Sequence, residues 1–114
     1  MILIKHRVNT IKELVRINPK YGVEIDVRSD QNKLLLNHDP FKKGVDFDSF
    51  LKNFKHNFLI VNVKEEGIEN KILNKLNKNK IRNFFLLDVT IPQLTKILKS
   101  KKEKKIALRI SKYE

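Results

Sequence analysis

The residues best suited to chemistry lie between residues 21 and 40. Glu24 and Asp26 are two residues apart on a predicted strand, so both side chains leave the same face of that strand. The strand is otherwise apolar, and carboxylates on such a strand are costly unless they are paired or bind a cation. The second arm of this segment ends at His38-Asp39, which adds an imidazole. The pattern predicts a polar site, although a surface hairpin with the same Glu-x-Asp spacing is an open alternative.

Length and composition limit the possible classes of protein. The 114 residues suffice for one small domain over residues 1–114, and a hydrophobic content of 40% supports a core. The absence of cysteine excludes disulfides, thiol nucleophiles and zinc–thiolate sites, and it fits a reducing compartment. No apolar run approaches the ~20 residues of a membrane span, and the first residues do not form a signal peptide. A cytoplasmic protein is therefore expected.

The chain is strongly basic, with 25 Lys+Arg against 13 Asp+Glu and a net charge of +12. Lysine dominates and is spread over the predicted helix faces, and the dense run at residues 99–105 contains no aromatic residue. A nucleic-acid interface usually shows clustered arginine and stacking aromatics, so no nucleic-acid partner is expected. The positive field would still attract phosphate-bearing substrates.

Hydrophobic periodicity predicts the elements that position the polar residues. Parallel strands are predicted near residues 2–6, 22–27, 58–64, 84–89 and 105–111, with an antiparallel hairpin arm at 33–38. A capping box at Thr10 and Glu13 opens the first helix, and further helices are predicted around 47–54, 68–76 and after Pro92. Alternating strands and helices indicate βαβ units with the helices outside the sheet.

Polar residues recur where the predicted strands end. They are His6-Arg7, Glu24 with Asp26, Asn62 with Lys64, Asp88, and Arg109 to Ser111. In (β/α) barrels this edge of the sheet carries the active site. The recurrence therefore predicts a site at the carboxyl ends of the strands, although Asp88 and Arg109 equally suit a structural ion pair.

These motifs resemble the glycerophosphodiester phosphodiesterase family, within the wider group of phospholipase-C-like phosphodiesterase barrels. The matching segments are His6-Arg7, Asn9-Thr10, Glu24-Ile25-Asp26-Val27, His38-Asp39 and Asn62-Val63-Lys64, in the order and spacing of the family motifs. The resemblance covers most of residues 4 to 64; beyond them it is one of architecture only. It implies an α/β fold, specifically a partial TIM barrel of about five parallel strands with a hairpin arm after strand 2.

The resemblance also implies a reaction and a role for each site residue. The activity would be metal-dependent hydrolysis of glycerophosphodiesters, or of a related phosphorylated head group, in lipid metabolism. The implied roles are general acid and base for His6 and His38, phosphate contacts for Arg7 and Lys64, and Ca²⁺ or Mg²⁺ ligands for Glu24, Asp26 and Asn62. His56, the third histidine, is expected at the surface.

The chain departs from the family pattern at three points. Val8 stands where the family has glycine, the glutamate of the Glu-Asn-Thr motif is missing, and Asn62 replaces a carboxylate ligand. A complete barrel has eight strands and about 250 residues, so the chain corresponds to the N-terminal portion of one and reads as truncated. An open barrel edge would favour self-association.

Two other functions compete with catalysis. A non-catalytic member of the same fold would bind a phosphorylated ligand, or take part in surface-polysaccharide assembly, and the departures at Val8 and Asn62 favour it. A basic nucleic-acid binder is the third reading; it would bind heparin in a salt-dependent way, independently of Glu24 and Asp26.

Overall fold

The structure is a computed structural model that describes residues 3–39 and 43–87. Its elements are β1 (Ile4–Lys5), α1 (Ile11–Arg16), β2 (Gly22–Asp30), β3 (Lys33–Leu36), β4 (Val45–Asp46), α2 (Phe47–Lys52), β5 (Phe58–Val63), α3 (Glu69–Lys78) and β6 (Phe84–Leu87). The predicted helix after Pro92, the predicted strand 105–111, and Asp88 and Arg109 lie outside the described residues. No helix in the described ranges is long and apolar enough to cross a membrane.

Within the described ranges, six strands form one mixed sheet. The spatial order is β4-β3-β2-β5-β6, and β1 pairs with the amino-terminal end of β2. The pairs β1–β2, β2–β5 and β5–β6 are parallel, whereas β2–β3 and β3–β4 are antiparallel. The parallel order of the first four predicted strands and the antiparallel arm are therefore confirmed. The described sheet is open and mixed, so it is an α/β fold without a closed barrel.

Strand β4 was not expected, because its segment has the composition of a loop around Gly44. The structure gives the reason for the difference. A Cβ atom at Gly44 would lie 2.3 Å from the carbonyl oxygen of Leu36. Only glycine allows this close approach of the two backbones, and it brings Val45 into register with Leu36. The sequence analysis predicts no strand at Val45 and Asp46, and it is incomplete there.

A tight turn closes the hairpin between β2 and β3. Gln31 and Asn32 have φ angles of 48° and 68°, and they separate the paired residues Asp30 and Lys33. Two successive residues with positive φ define a type I′ turn, whose twist matches that of the flanking strands. The turn is therefore two residues long, and β2 continues up to it through Asp30.

One face of the sheet is apolar and buried, whereas the other carries both polar and apolar residues. Val23, Ile25 and Val27 are fully buried, and their partners on β5 are Leu59, Val61 and Val63. This apolar face belongs to the same core cluster as the buried residues of the three helices, among them Leu14, Phe47, Phe50, Ile72 and Leu76. Burying one such side chain contributes about 1.5–3 kcal/mol. The opposite face, which carries Glu24, Asp26, Arg28 and Asn62, is called the site face below.

Candidate functional site

The three predicted metal ligands share the site face of two neighbouring strands. Glu24 and Asp26 alternate with buried apolar residues along β2, so their side chains point to the same side. Asp26 is directly beside Asn62 of β5 in the parallel register. Asp26 is 1% exposed and Asn62 is 4% exposed, so these polar groups lie inside the molecule.

His6 follows β1 and contacts the first carboxylate. Its Nδ1 atom lies 3.1 Å from Glu24 Oε1. Two residues later, the Val8 backbone N–H donates to the Glu24 backbone carbonyl at 2.8 Å. Because an ionised carboxylate only accepts, this bond requires a proton on Nδ1 and leaves Nε2 of the neutral ring as the basic nitrogen. The His6 side chain is 75% exposed, whereas that of Glu24 is 13% exposed. The imidazole is therefore oriented by the protein and open to a ligand.

Asp26 is held by an asparagine and a lysine. Asn9 donates from Nδ2 to Asp26 Oδ2 at 3.0 Å, and its Oδ1 accepts the Asp26 backbone N–H at 2.8 Å. Lys64 Nζ lies 3.6 Å from Asp26 Oδ1, and the Lys64 backbone N–H is bonded to the Val27 carbonyl. These partners offset the cost of burying a carboxylate in the sheet.

His38 is held at the same edge by its backbone rather than by its ring. Arg28 donates from Nη2 to the His38 carbonyl at 2.7 Å, and the preceding residue, Asn37, donates its N–H to the Asp26 carbonyl at 3.1 Å. The imidazole Nδ1 lies 3.4 Å from Asp39 Oδ1. Among the described residues no hydrogen bond joins the His38 ring to His6, Glu24 or Asp26. The His38 imidazole therefore lies beside its own neighbour, whereas the structure brings together five of the other predicted residues, which are His6, Glu24, Asp26, Asn62 and Lys64.

Arg7 links His6 to the core. Its side chain is exposed, and its φ of 54° places the backbone in the left-handed region. This turn lets Val8 enter the core at 3% exposure, and it places Asn9 against Asp26. A non-glycine residue in this conformation costs about 1–2 kcal/mol, which the packing of Val8 and the two Asn9 bonds offset.

Three residues of the site were given no role by the sequence analysis. They are Asn9, Arg28 and Glu65, of which Glu65 accepts from the backbone and hydroxyl of Ser29. Arg28 is two residues after Asp26 on the same strand, so the spacing that pairs Glu24 with Asp26 also indicates Arg28. For Asn9, the only indication in the sequence is the Asn9-Thr10 motif. Glu65 contacts Ser29, which is far away in the sequence, so no local pattern reveals that contact.

A cavity of about 300 Å³ opens beside these residues. Its walls include Asn9, Thr10 and Asn37, with Leu36 and Val45 as apolar neighbours. The amide and hydroxyl groups donate and accept hydrogen bonds, and Lys43 adds a positive charge to the lining. The cavity can therefore hold a polar head group beside Asn9, which binds Asp26.

The donor chemistry of the site suits a hard cation. Glu24, Asp26 and Asn62 offer only oxygen ligands, which Ca²⁺ and Mg²⁺ prefer. Within the described ranges, however, no group of three or more His, Cys, Asp or Glu residues is placed to hold a metal ion. Asn62 lowers the negative charge that a cation would meet, and the Lys64 ammonium already neighbours Asp26.

Comparisons with protein-family models, with curated proteins and with solved structures find no match to this chain. No relative therefore assigns a role to any residue. Function is inferred below from the side chains at the site and from the motif resemblance.

Proposed function

We propose that the protein is a divalent-cation-dependent phosphodiester hydrolase that acts on a glycerophosphodiester or a related phosphorylated head group. The observation that supports this most is that His6 and Lys64, which directly follow β1 and β5, converge on Glu24 and Asp26 of the strand between them. A base oriented by a carboxylate, next to a second carboxylate and an ammonium, is what hydrolysis of an anionic ester requires.

We further propose that the fold is the N-terminal part of a (β/α) barrel. The parallel strands β1, β2, β5 and β6 are neighbours in chain order, as consecutive strands are in that fold. The antiparallel β3 and β4 then form an arm inserted after the second barrel strand. His6 and Lys64 of the candidate site follow the carboxyl ends of β1 and β5, and such barrels build active sites at those ends.

In this proposal Glu24, Asp26 and Asn62 would hold a Ca²⁺ or Mg²⁺ ion, which neutralises charge on the bound phosphate. Lys64 adds a fixed positive charge beside Asp26. Arg7, which is exposed, provides a guanidinium that can donate two parallel hydrogen bonds to phosphate oxygens.

His6 is the proposed general base. Its Nδ1–H donates to Glu24, so Nε2 is the nitrogen that takes a proton from the attacking water molecule as its oxygen bonds to phosphorus. Glu24 then stabilises the imidazolium that forms. His38 is the proposed general acid for the leaving alcohol. This role requires its ring to rotate away from Asp39, while Arg28 keeps the backbone in place.

A non-catalytic protein that binds a phosphorylated ligand is the second candidate. It is favoured by the amide of Asn62 in place of a carboxylate, and by the His38 ring lying beside Asp39. In this case the same Lys64 and Arg7 charges would bind the phosphate group without turnover. A role in surface-polysaccharide assembly would be one use of such binding.

The test is release of glycerol 3-phosphate from glycerophosphocholine, with Mg²⁺, with Ca²⁺ and with a chelator. We expect metal-dependent turnover that falls about 10²–10⁴-fold in His6→Ala and is lost in Asp26→Asn. The matched control is Asp48→Asn, which removes one carboxylate far from the site residues and should keep the rate.

Two outcomes separate the candidates. No turnover, combined with calorimetric binding of glycerol 3-phosphate that requires Lys64, would support the binding protein and exclude the hydrolase. Neither turnover nor binding would contradict both. Separately, Asn62→Glu should tighten Mg²⁺ binding, because it restores a carboxylate ligand.

A further inference from the structure

The edge of the sheet opposite the candidate site is built from three basic loops. Residues 17–21, 53–57 and 79–83 each connect the end of a helix to the start of β2, β5 or β6. None of the three segments contains an aspartate or glutamate, and together they carry Lys20, Lys55, His56, Lys80 and Arg82. This edge is therefore positive, whereas His6 and Lys64 of the candidate site follow the carboxyl ends of β1 and β5.

The loops are joined into one surface by hydrogen bonds. His56 Nε2 lies 2.8 Å from the Ile17 carbonyl, and the Asn57 N–H donates to the Pro19 carbonyl at 2.8 Å. The Leu59 N–H donates to the Asn83 carbonyl at 3.0 Å. These bonds fix the positions of the three loops relative to one another.

The turn at Lys80 is also fixed. Lys80 has a φ of 59°, its N–H donates to the Asn77 carbonyl, and the Ile81 N–H donates to the Leu76 carbonyl. This pair of bonds is the Schellman motif that ends α3. Lys80 and the following residues therefore leave the helix in a defined direction.

A cavity of about 300 Å³ lies between the second and third of these loops. Its lining carries the cations Lys55, Lys80 and Arg82 and the amides Asn57 and Asn83. The dipoles of helix C-termini favour cations, which explains basic residues in the last turns of α1, α2 and α3. The helix dipoles do not explain the three cations of the cavity, because these residues lie beyond the helix ends. The lining of the cavity also contains no carboxylate that would pair with them.

His56 lines the same cavity and has one unused nitrogen. The Ile17 carbonyl can only accept, so Nε2 carries a proton. Nδ1 is buried and has no hydrogen-bond partner. A buried polar atom without a hydrogen-bond partner is costly.

We propose that this cavity binds the phosphate group of an anionic ligand, independently of the reaction proposed for the other edge. Arg82 supplies a planar donor for two phosphate oxygens, and Lys55 and Lys80 supply point charges. The same chemistry recognises a free phosphate compound and the head group of an anionic lipid.

The three histidines allow the proposal to be tested by NMR. Sodium phosphate is titrated into the full chain with ¹³C-labelled histidine, at constant pH and at ionic strength held by NaCl. We expect a saturable shift of the His56 ring signals. Shifts of His6 or His38 report on the candidate site at the other edge, so the two proposals succeed or fail on different resonances.

The specific variant is Lys80→Gln with Arg82→Gln, and the matched control is Lys12→Gln with Lys33→Gln. Each removes two exposed positive charges. The specific variant should weaken phosphate binding at His56 about tenfold or more, because charged hydrogen bonds are lost, whereas the control should stay within about twofold of wild type. Equal weakening in both, or no saturable shift at His56, would overturn the proposal.

Sedimentation with phosphatidylcholine vesicles, with and without phosphatidylglycerol, distinguishes the source of the phosphate. Binding to the anionic vesicles that is lost in the specific variant and kept in the control assigns the site to lipid head groups. Saturable phosphate binding without vesicle binding assigns it to a free phosphate compound. Vesicle binding without a His56 response to phosphate would instead reflect the general field of a +12 chain and would contradict the site.

Discussion

Two clusters in this molecule use the same three side-chain types in different surroundings. The inner cluster, at the candidate site, consists of Asp26, Lys64 and Asn9. The outer cluster consists of Asp48, Lys75 and Asn79, and it joins α2 to α3. In each cluster an asparagine and a lysine hold one aspartate.

The two clusters differ in burial and in the contact of the lysine. In the inner cluster the Asp26 side chain is 2% exposed, and Lys64 Nζ is 3.6 Å from it, beyond ordinary hydrogen-bond distance. In the outer cluster the Asp48 side chain is 24% exposed, and Lys75 donates a hydrogen bond directly to it. That hydrogen bond, supported by the nearby charge of Lys78, lowers the pKa of Asp48.

The difference indicates what each cluster does. A partly exposed, directly bonded pair tethers two helices, and water screens part of its attraction. A buried carboxylate is costly to build, and the lysine beside Asp26 lies at 3.6 Å from Oδ1 rather than at hydrogen-bond distance. The inner cluster therefore suits ligand binding, and the outer cluster suits the docking of α3 against α2.

The largest expected effect is on stability when the two aspartates are removed. Asp26→Ala should lower the free energy of unfolding by about 2–4 kcal/mol, because it leaves Asn9 and Lys64 without their buried partner. Asp48→Ala should cost about 1 kcal/mol or less. Urea unfolding followed by circular dichroism measures both. Equal losses would show that the burial difference has no energetic consequence.

Removing the asparagine should also destabilise the protein more in the inner cluster than in the outer one, by smaller amounts than removing the aspartate. Asn9→Ala removes the acceptor of the buried Asp26 N–H and a donor to its carboxylate, so we expect a loss of about 1–3 kcal/mol. Asn79→Ala, the outer counterpart, should cost under about 1 kcal/mol because its bonds are partly hydrated. Thermal unfolding of the two variants provides the comparison, and a larger loss for Asn79→Ala would reverse it.

The pH dependence tests the outer pair. The pKa of Asp48 is lowered in the folded protein from its ordinary value of 3.8. Its pair therefore stabilises the fold above the unfolded pKa, and this contribution disappears as pH falls through the lower folded pKa. The stability difference between wild type and Asp48→Asn should be constant from pH 5 to 7 and shrink below about pH 4. A difference that grows on acidification would contradict this assignment.

The smallest expected effect is that of salt on the coupling energy between the aspartate and the lysine of each cluster. A double-mutant cycle on Asp48 and Lys75 should give a coupling energy that falls by a few tenths of a kcal/mol between 0.1 and about 1 M NaCl, because exposed charges are screened. The cycle on Asp26 and Lys64 should change less, because that pair is largely shielded from ions. Unfolding titrations of the four variants at both salt concentrations supply the numbers.

Local patterns in the sequence determined much of the fold. The two-residue spacing puts Glu24 and Asp26 on one face, because strand side chains alternate regardless of the neighbouring strands. The Thr10 side chain accepts the Glu13 N–H, so the first half of the predicted capping box is confirmed. The short turn forces β2 and β3 to be antiparallel, and the helices between the other strands permit a parallel order.

Other features depended on contacts between segments far apart in the chain. Strand β4 exists because the backbone at Gly44 comes against Leu36. The partner of Asp26 is Asn9, seventeen residues earlier, and Lys80 adopts a conformation usually taken by glycine at a helix end. Composition and periodicity describe each residue and its near neighbours, so they do not specify such partners.

The same distinction between local patterns and distant contacts applies to the candidate site. The residue types at the strand ends, and the face of β2 on which the carboxylates lie, follow from the sequence alone. The tertiary structure decided that His6 contacts Glu24 and that Lys64 lies beside Asp26. It also decided that Arg28 binds the backbone of His38, whereas the His38 ring lies against Asp39. The reason is physical: strand periodicity fixes the direction of a side chain, whereas its partner depends on how separate loops pack above the sheet edge.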